Sequence, residues 1–377
     1  GNTSPFANCK SLTSIDIPEG VTQIPSYMFY NASNLVTVGL PSTLKTIGYG
    51  AFNGCTGLTE ISLPDGIETL GNYAFNGCTK LTSVSIPGSV TAMGYDSFKD
   101  CTGLTSAEVG QGVTTIADSM FEGCTGLTSV TLPDGLTKVG NSAFKNCTSL
   151  ESIVLPNSIK TMGSYAFSGC SALKSVNYPT KWETVSDGTS PFYNCRKLTS
   201  MVVPEGITAI PACAFAGMSS LRTISLPSTL IAIRNSAFLN CTGLLAVELP
   251  EGLENLDFNA FTGCTGLTSI SIPKNIKVLS ESVLKGCTNL TSVVLPEGMT
   301  GISRFAFQNC TSLEEIHLPD SVATIGHSVF NGCSKLRSVN YPQSLEKMDD
   351  WGGNTSPFAN CKSLTSIDIP EGVTQIP

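Results

Sequence analysis

Met120–Gly140 reads "MFEGCTGLTSVTLPDGLTKVG". Taken from Phe121, it places apolar residues at Phe121, Cys124, Leu127, Val130, Leu132, Leu136 and Val139. The Leu-x-x-Val-x-Leu run ends on a period of two, which marks a short strand with two side chains turned inward. Pro133 follows directly. Proline has no N–H to give to a ladder, so it belongs at the strand end, where it opens a turn through Pro133-Asp134-Gly135. A second short extended piece and a tight turn around A-F-x-x-C would then return the chain to its start.

The same pattern runs through the whole chain. Phe6, Phe29, Phe52, Phe75, Phe98, Phe121, Phe144 and Phe167 recur every 23 residues, and Phe192 follows after 25. Phe215, Phe238 and Phe261 resume the period of 23, Leu284 stands in for the next, and Phe307 and Phe330 continue it. Phe358 arrives after 28. Fifteen of the sixteen copies carry the strand-ending proline, Gly110 being the exception. One unit cannot stand alone: each of its seven apolar side chains contributes roughly 1.5 to 3 kcal/mol on burial. Ordering each of 23 backbones costs about 1 to 2 kcal/mol. Neighbouring coils must therefore cover its faces. The expected fold is a mainly β repeat solenoid, a superhelix of 23-residue coils with a continuous parallel ladder and little helix. It forms a single domain over residues 1–377, with lengthened coils near 178–192 and 341–358.

Composition narrows the function. Charged residues are 13% of the chain, against about 25% in typical globular proteins, so the surface should be polar but sparsely charged. The net charge of −8 comes without any basic cluster or arginine–aromatic interleaving to neutralise phosphates, which argues against nucleic acid as a partner. No apolar run approaches the length of a membrane span, and initiator Met, signal peptide and lipidation motif are all missing from the sequence.

In outline the units read "FxxCxxLTSIxLPxGVTxIGxxAF", and they resemble the BspA-like (Treponema-type) leucine-rich repeats over essentially the entire chain. The matching positions are the buried ones, so the resemblance specifies fold more than function. It implies an extracellular or cell-surface scaffold, non-catalytic and without a cofactor, of a kind linked to adhesion and host-protein binding. The 25- and 28-residue coils depart from the pattern.

Fourteen of the fifteen cysteines, Cys9, Cys55 and Cys124 among them, stand three residues after the phenylalanine register. Ala32 and Met218 replace cysteine in two coils and can serve neither a covalent nor a metal role, so the column reads as buried thiols acting as small hydrophobes. Cys213 alone is off register. His317 and His327, the two histidines, lack metal spacing and read as isolated surface imidazoles. Gly48-Tyr49-Gly50 and Gly110-Gln111-Gly112 are repeat turns without the lysine and helix of a phosphate loop. Carboxylates after the strand proline (Glu19, Asp65, Asp134, Glu205, Glu251, Glu297, Asp320 and Glu371) invite a calcium reading. Gly88, Gln111, Asn157, Ser228 and Lys274 interrupt the row, which favours solvated turn residues. A serine row, Ser83, Ser106, Ser129, Ser152, Ser175 and Ser200, could bond a glycan or peptide, or could be small polar filler.

Aromatic residues supply the better contact candidates. Tyr27, Tyr49, Tyr73 and Tyr95 lie two or three residues before their phenylalanines in four consecutive coils, and should align as a stripe on one edge; partial burial between coils is the alternative. "VNYPTKWETVSDGTSPF" and "VNYPQSLEKMDDWGGNTSPF" each carry a tryptophan, Trp182 or Trp351, in a lengthened loop. Such loops protrude and commonly recognise partners. Trp351 beside Asp349 and Asp350 could anchor one, or its indole could pack over a widened coil. Asn2, Asn31, Asn146, Asn240, Asn289, Asn309 and Asn354 head N-x-S/T sequons that could carry glycans in a secretory setting.

Residues 353–377 repeat residues 1–25 without a change. Shared folding constraints fix only a few positions, so the match records a duplicated block. The chain reads as one 352-residue superunit plus the start of the next, cut from a longer tandem array, with no polar cap at either end. Two functions follow. One is an adhesion or protein-binding scaffold with a protein or glycan ligand; the other is a segment of a long fibre or appendage built from copies joined end to end.

Overall fold

The computed structural model describes residues 4–348, 356–367, 369–371 and 373. The chain is a parallel β-solenoid of about 15 turns with coils of about 23 residues. Two compact units divide it, Gly1–Leu198 and Thr199–Pro377. The coil of the quoted stretch holds two strands, Ser129–Thr131 and Lys138–Val139. Between them the Leu136 N–H donates to the Pro133 carbonyl at 3.1 Å and closes the turn.

Pairing is parallel and steps by one coil. In the first unit Ser83 lies opposite Ser106, and Ser106 opposite Ser129. In the second ladder Thr115, Lys138, Thr161 and Thr184 follow in register. In the second unit Ser200 pairs with Thr223, and Val278, Gly301, Thr324 and Lys347 form one run. The first ladder is divided into runs of two or three strands rather than unbroken, with no strand at residues 60–63 or 246–249. Strands of two to four residues hold few ladder bonds, so a slight loss of register removes a coil from the sheet. Single bonds carry the stacking through: Thr59 N donates to Val36 O and Thr82 N to Thr59 O, both at 3.2 Å.

The A-F-x-x-C turn forms a third ladder. Tyr27, Phe29 and Asn31 send their N–H groups to Tyr49, Ala51 and Asn53 one coil on, each at 2.8 Å, while Tyr30 and Ala32 donate back within the turn. Alternation of this kind requires a left-handed residue two before and two after the phenylalanine. Tyr27 (φ 59°), Gly50 (φ 56°) and Tyr73 (φ 57°) fill the first position, Asn31 (φ 55°), Gly54 (φ 76°) and Asp100 (φ 58°) the second. Glycine and asparagine recur there because they tolerate that backbone at least cost.

Phenylalanine rings make the core. From Phe6 to Phe192 successive rings lie 5.1 to 5.7 Å apart and within 14° of parallel. Cysteine forms the neighbouring column. All the register cysteines are free, and Cys55, Cys101, Cys124 and Cys170 each donate the S–H to the phenylalanine carbonyl one coil back, at 3.1 Å. The column is thus a hydrogen-bonded ladder as well as an apolar one. Ala32 and Met218 fill its two gaps, both buried.

Candidate functional site

Tyr27, Tyr49, Tyr73 and Tyr95 come together as a stripe in the first unit, ring centroids 5.1, 5.4 and 5.2 Å apart. They alternate between the left-handed position and the residue before it, so each ring clears the next. Gly50 provides room: a Cβ there would stand 3.2 Å from the Tyr27 ring. Tyr27 and Tyr73 are half-buried, while Tyr49 and Tyr95 are 36% and 43% exposed. Holding a bulky tyrosine in the left-handed region costs roughly 1 kcal/mol or more, which a glycine at the same place avoids.

Beside the stripe lies an open groove of about 860 Å³. Its floor is the second ladder through Leu70, Ala92 and Met93; Thr69, Thr91 and Thr115 add hydroxyls, and Tyr49 stands at its edge. Gly71 and Gly94 let the coils close up along it: a Cβ on Gly71 would lie 2.6 Å from the Gly48 carbonyl carbon. Burial and the neighbouring tyrosines push the Tyr49 hydroxyl up, and the Asp96 carboxylate does the same to Tyr73. Both phenols therefore stay neutral at physiological pH. A charged row continues from the stripe, with Lys99 pairing Asp96 at 3.5 Å and Glu122 at 3.3 Å, and Lys145 reaching Glu122 at 3.0 Å. The arrangement offers apolar ring edges, hydroxyls and neutral donors along an open channel, suited to an extended ligand.

In the second unit the same turn positions carry Phe258, Glu281, Arg304, Phe305 and His327, of which the sequence reading singled out His327 alone. Counting two or three residues back from every phenylalanine, and from Leu284 in its place, would have found the others. Arg304 pairs with Glu281 at 2.8 Å, Lys285 sits 5.1 Å over the Phe305 ring, and Phe258 is 49% exposed. His327 corrects an expectation: it is buried, its ring edge-on to Phe305 at 4.7 Å, because the turn column packs it against the coil behind. His317 is exposed, one residue past the strand Glu315–Ile316.

Trp182 also departs from the reading as a protruding contact. It is 4% exposed, 5.1 Å from Tyr178 and 6.3 Å from Phe192, and its indole N–H donates to Thr184 O at 2.9 Å. A 25-residue coil encloses more space, and the indole fills it. Asn177 prepares that coil by bonding both backbone groups of Leu155, at 2.7 and 2.8 Å, as a strand would. Asn340 does the same to Leu318. Asp349, Asp350, Trp351, Asn2 and Asn354 lie outside the described residues.

Of the other sequons, Asn31, Asn146, Asn240 and Asn309 occupy the left-handed turn position, and Asn289 is exposed on a turn. Two of the turn carboxylates tie neighbouring coils together. Glu19 accepts from the N–H and hydroxyl of Ser42 at 2.9 and 3.0 Å, and Glu205 from those of Ser228. These bonds hold both carboxyls below their usual range. No group of three or more His, Cys, Asp or Glu among the described residues could hold a metal ion. The outward serines pair in register, while Thr82, Thr105 and Thr128 spend their hydroxyls on the preceding coil's carbonyls at 3.0 to 3.2 Å. Desolvation pushes the Cys55, Cys241 and Cys287 thiols up to about 12. No helix among the described residues is long and apolar enough to cross a membrane.

Comparisons with known proteins agree with this geometry. A leucine-rich repeat protein from Bacteroides ovatus matches with a TM-score of 0.63 and 29% identity, over 81% of this chain and 83% of its own. One from Eubacterium ventriosum matches with a TM-score of 0.55 and 22% identity, over 84% and 86%. A leucine-rich cell surface protein from Faecalibacterium prausnitzii gives a TM-score of 0.46 and 25% identity, over 94% and 87%. Among curated proteins none matches. The family described as "BspA type Leucine rich repeat region (6 copies)" matches residues 2–124, 93–189, 186–313 and 277–377. With family-specific matches running from Asn2 to Pro377, the chain belongs to the BspA-type leucine-rich repeat proteins.

Proposed function

We propose that this chain is a non-catalytic binding scaffold displayed outside the cell, and that the tyrosine stripe with its groove contacts a protein or glycan ligand. The observation that carries the reading is the stripe itself. Four rings line up in consecutive coils beside an open channel, tilted or edge-on to one another, two of them on left-handed backbone that glycine would hold more cheaply. Tyrosine suits such a surface because it combines apolar area with a hydroxyl at low conformational cost. The family resemblance supports an extracellular setting. Burial pushes the Cys55 and Cys241 thiols up, which leaves them protonated and makes the cysteine column a poor source of nucleophiles.

The test is binding to a panel of soluble oligosaccharides and immobilised extracellular proteins, comparing the native chain with Tyr49→Ala/Tyr95→Ala. Loss of about tenfold or more in affinity for whichever probe binds is expected, as for exposed aromatic anchors. Unchanged affinity, with the fold intact by circular dichroism, would sink the assignment of the stripe.

A second reading has its own support. The identity of residues 353–377 with 1–25 fits assembly of copies end to end, as in a fibre or surface appendage.

A further inference from the structure

The second ladder breaks beside the tyrosine stripe. It runs from Gln23–Ile24 through Thr46–Ile47 and Thr69–Leu70 to Ala92–Met93, then starts again at Thr115–Ile116 with no pairing between those two strands. Up to the break each coil sends three N–H groups back. Thr91 and Ala92 donate to the Glu68 carbonyl at 3.0 and 3.1 Å, and Gly94 to that of Leu70 at 2.7 Å. One coil on, the equivalent N–H groups of Thr114, Thr115 and Ala117 find no acceptor among the described residues, and the carbonyls of Thr91 and Met93 receive no donor from them. This is the coil that has Gly110 where the others have the strand proline.

The opening is local. On one flank Ser83–Ile86 pairs with Ser106–Val109, and Gly110 N donates to Ile86 O at 2.8 Å. On the other, Asp96 N and Phe98 N reach Asp118 O and Met120 O at 3.1 and 2.9 Å. In the second unit the second ladder also stops, between Asn255–Leu256 and Val278–Leu279. There the Ser280 hydroxyl donates to the Leu256 carbonyl and replaces a missing ladder bond. The equivalent of Ser280 at the first break is Ala117, whose side chain has nothing to donate. The groove of about 860 Å³ lies over this gap, with Thr91, Ala92, Met93, Thr114 and Thr115 among its walls.

We propose that the gap and its groove seat a neutral oligosaccharide, whose hydroxyls bridge the carbonyls of Thr91 and Met93 to the N–H groups of Thr114, Thr115 and Ala117 while its rings pack along the tyrosine stripe. The proposal rests on the stripe being a contact surface and names its ligand class. The gap presents donors and acceptors side by side, and a sugar hydroxyl gives and accepts at once. The lining consists of tyrosine, threonine, asparagine, glycine and aliphatic residues. By contrast, the groove beside Val278 has Glu281, Arg304 and Lys347 in its walls. Nearby charges satisfy one another, Lys45 with Glu68 and Lys99 with Asp96 and Glu122, so an ionic ligand gains little here. A peptide strand entering the ladder needs two spacings of about 4.8 Å, whereas the bonds on both flanks hold these coils one spacing apart. Hydroxyls enter where a strand does not. The tyrosine centroids step by 5.1, 5.4 and 5.2 Å. A pyranose in an extended β-linked chain advances by nearly one such step, while a residue of extended polypeptide advances about 3.3 Å and falls out of register.

The experiment titrates the full chain with neutral β-linked gluco-, manno- and xylo-oligosaccharides, from disaccharide to hexasaccharide, and reads calorimetry and amide hydrogen exchange together. Oligogalacturonate is the acidic counterpart, and a neutral proline-rich peptide the extended polypeptide. A neutral oligosaccharide is expected to bind, more tightly with length, and to slow exchange at Thr114, Thr115 and Ala117 by about tenfold or more. Thr137 and Lys138, already bonded to the Thr114 carbonyl, should not change. Ala92→Lys sets a long charged side chain on the exposed floor of the groove and should weaken binding by about tenfold or more with the fold intact. Binding of the peptide or oligogalacturonate alone, lost in Tyr49→Ala/Tyr95→Ala, would overturn the neutral oligosaccharide and leave the stripe as a contact surface. Oligosaccharide binding that changes neither the three amides nor the response of Ala92→Lys would overturn the gap as the seat. Binding lost in Ala92→Lys but untouched in the tyrosine pair would keep the groove and sink the stripe. A chain that binds none of these probes would overturn the inference.

Discussion

Cys124 lies with its sulfur 3.1 Å from the Phe98 carbonyl and its side chain out of reach of solvent. That contact explains why this register prefers cysteine to alanine or valine: the thiol fills apolar space and still gives a weak hydrogen bond to a carbonyl one coil back. Cys124→Ala is expected to cost about 1 to 2 kcal/mol, through the lost donor and a small cavity. Cys124→Ser keeps a donor and should cost no more than alanine in urea unfolding. A serine clearly worse than alanine would show that the column works as apolar filling alone. Tyr73 is the opposite kind of residue, strained where it stands, and its place in the stripe is the local reason for looking there for a ligand.

Among the elements, the turn is the unusual one. Its alternate N–H groups pair forward with the next coil, so coils approach closely enough that some positions admit no side chain. Gly71→Ala would drive a Cβ against the backbone of Gly48 and Tyr49, atoms that cannot yield. The expected cost is about 1 to 3 kcal/mol, as for overpacking in a tight interior. Gly135→Ala, on an open turn with nothing within 4 Å, serves as control and should leave the thermal midpoint nearly unchanged. The lengthened coil depends on Asn177, which bonds both backbone groups of Leu155. Asn177→Asp removes the donor and places a charge there, so it should destabilise by about 1 to 3 kcal/mol in the same assay.

At the scale of the whole molecule the thiol columns act together. Cys55, Cys241 and Cys287 have folded pKa values of about 12 against 9.0 when unperturbed, so the folded chain keeps these protons where the unfolded chain has lost them. Their contribution to stability is complete below about pH 9 and is lost as pH rises from there toward 12, by about 1.4 kcal/mol per pH unit for each thiol. With several such thiols stacked in one column, unfolding above pH 9 should be steep when followed by circular dichroism. Replacing three of them by alanine should flatten the slope at alkaline pH, and a slope that does not respond would show that other groups drive it.

The sequence alone determined the architecture. A period of 23 in phenylalanine, cysteine, leucine and proline leaves stacking as the one way to bury side chains that no single unit can cover, and this requirement is written in residue types. It also located the tyrosines in four successive coils. Only the tertiary structure decided which side chains remain available. Tyr49 and Tyr95 stay exposed, whereas Trp182 and His327 are buried, because the space they enter is enclosed by residues of neighbouring coils. The third ladder and the thiol bonds between coils were hidden for the same reason: they join atoms 22 to 31 residues apart, and their geometry exists only once the coils have stacked.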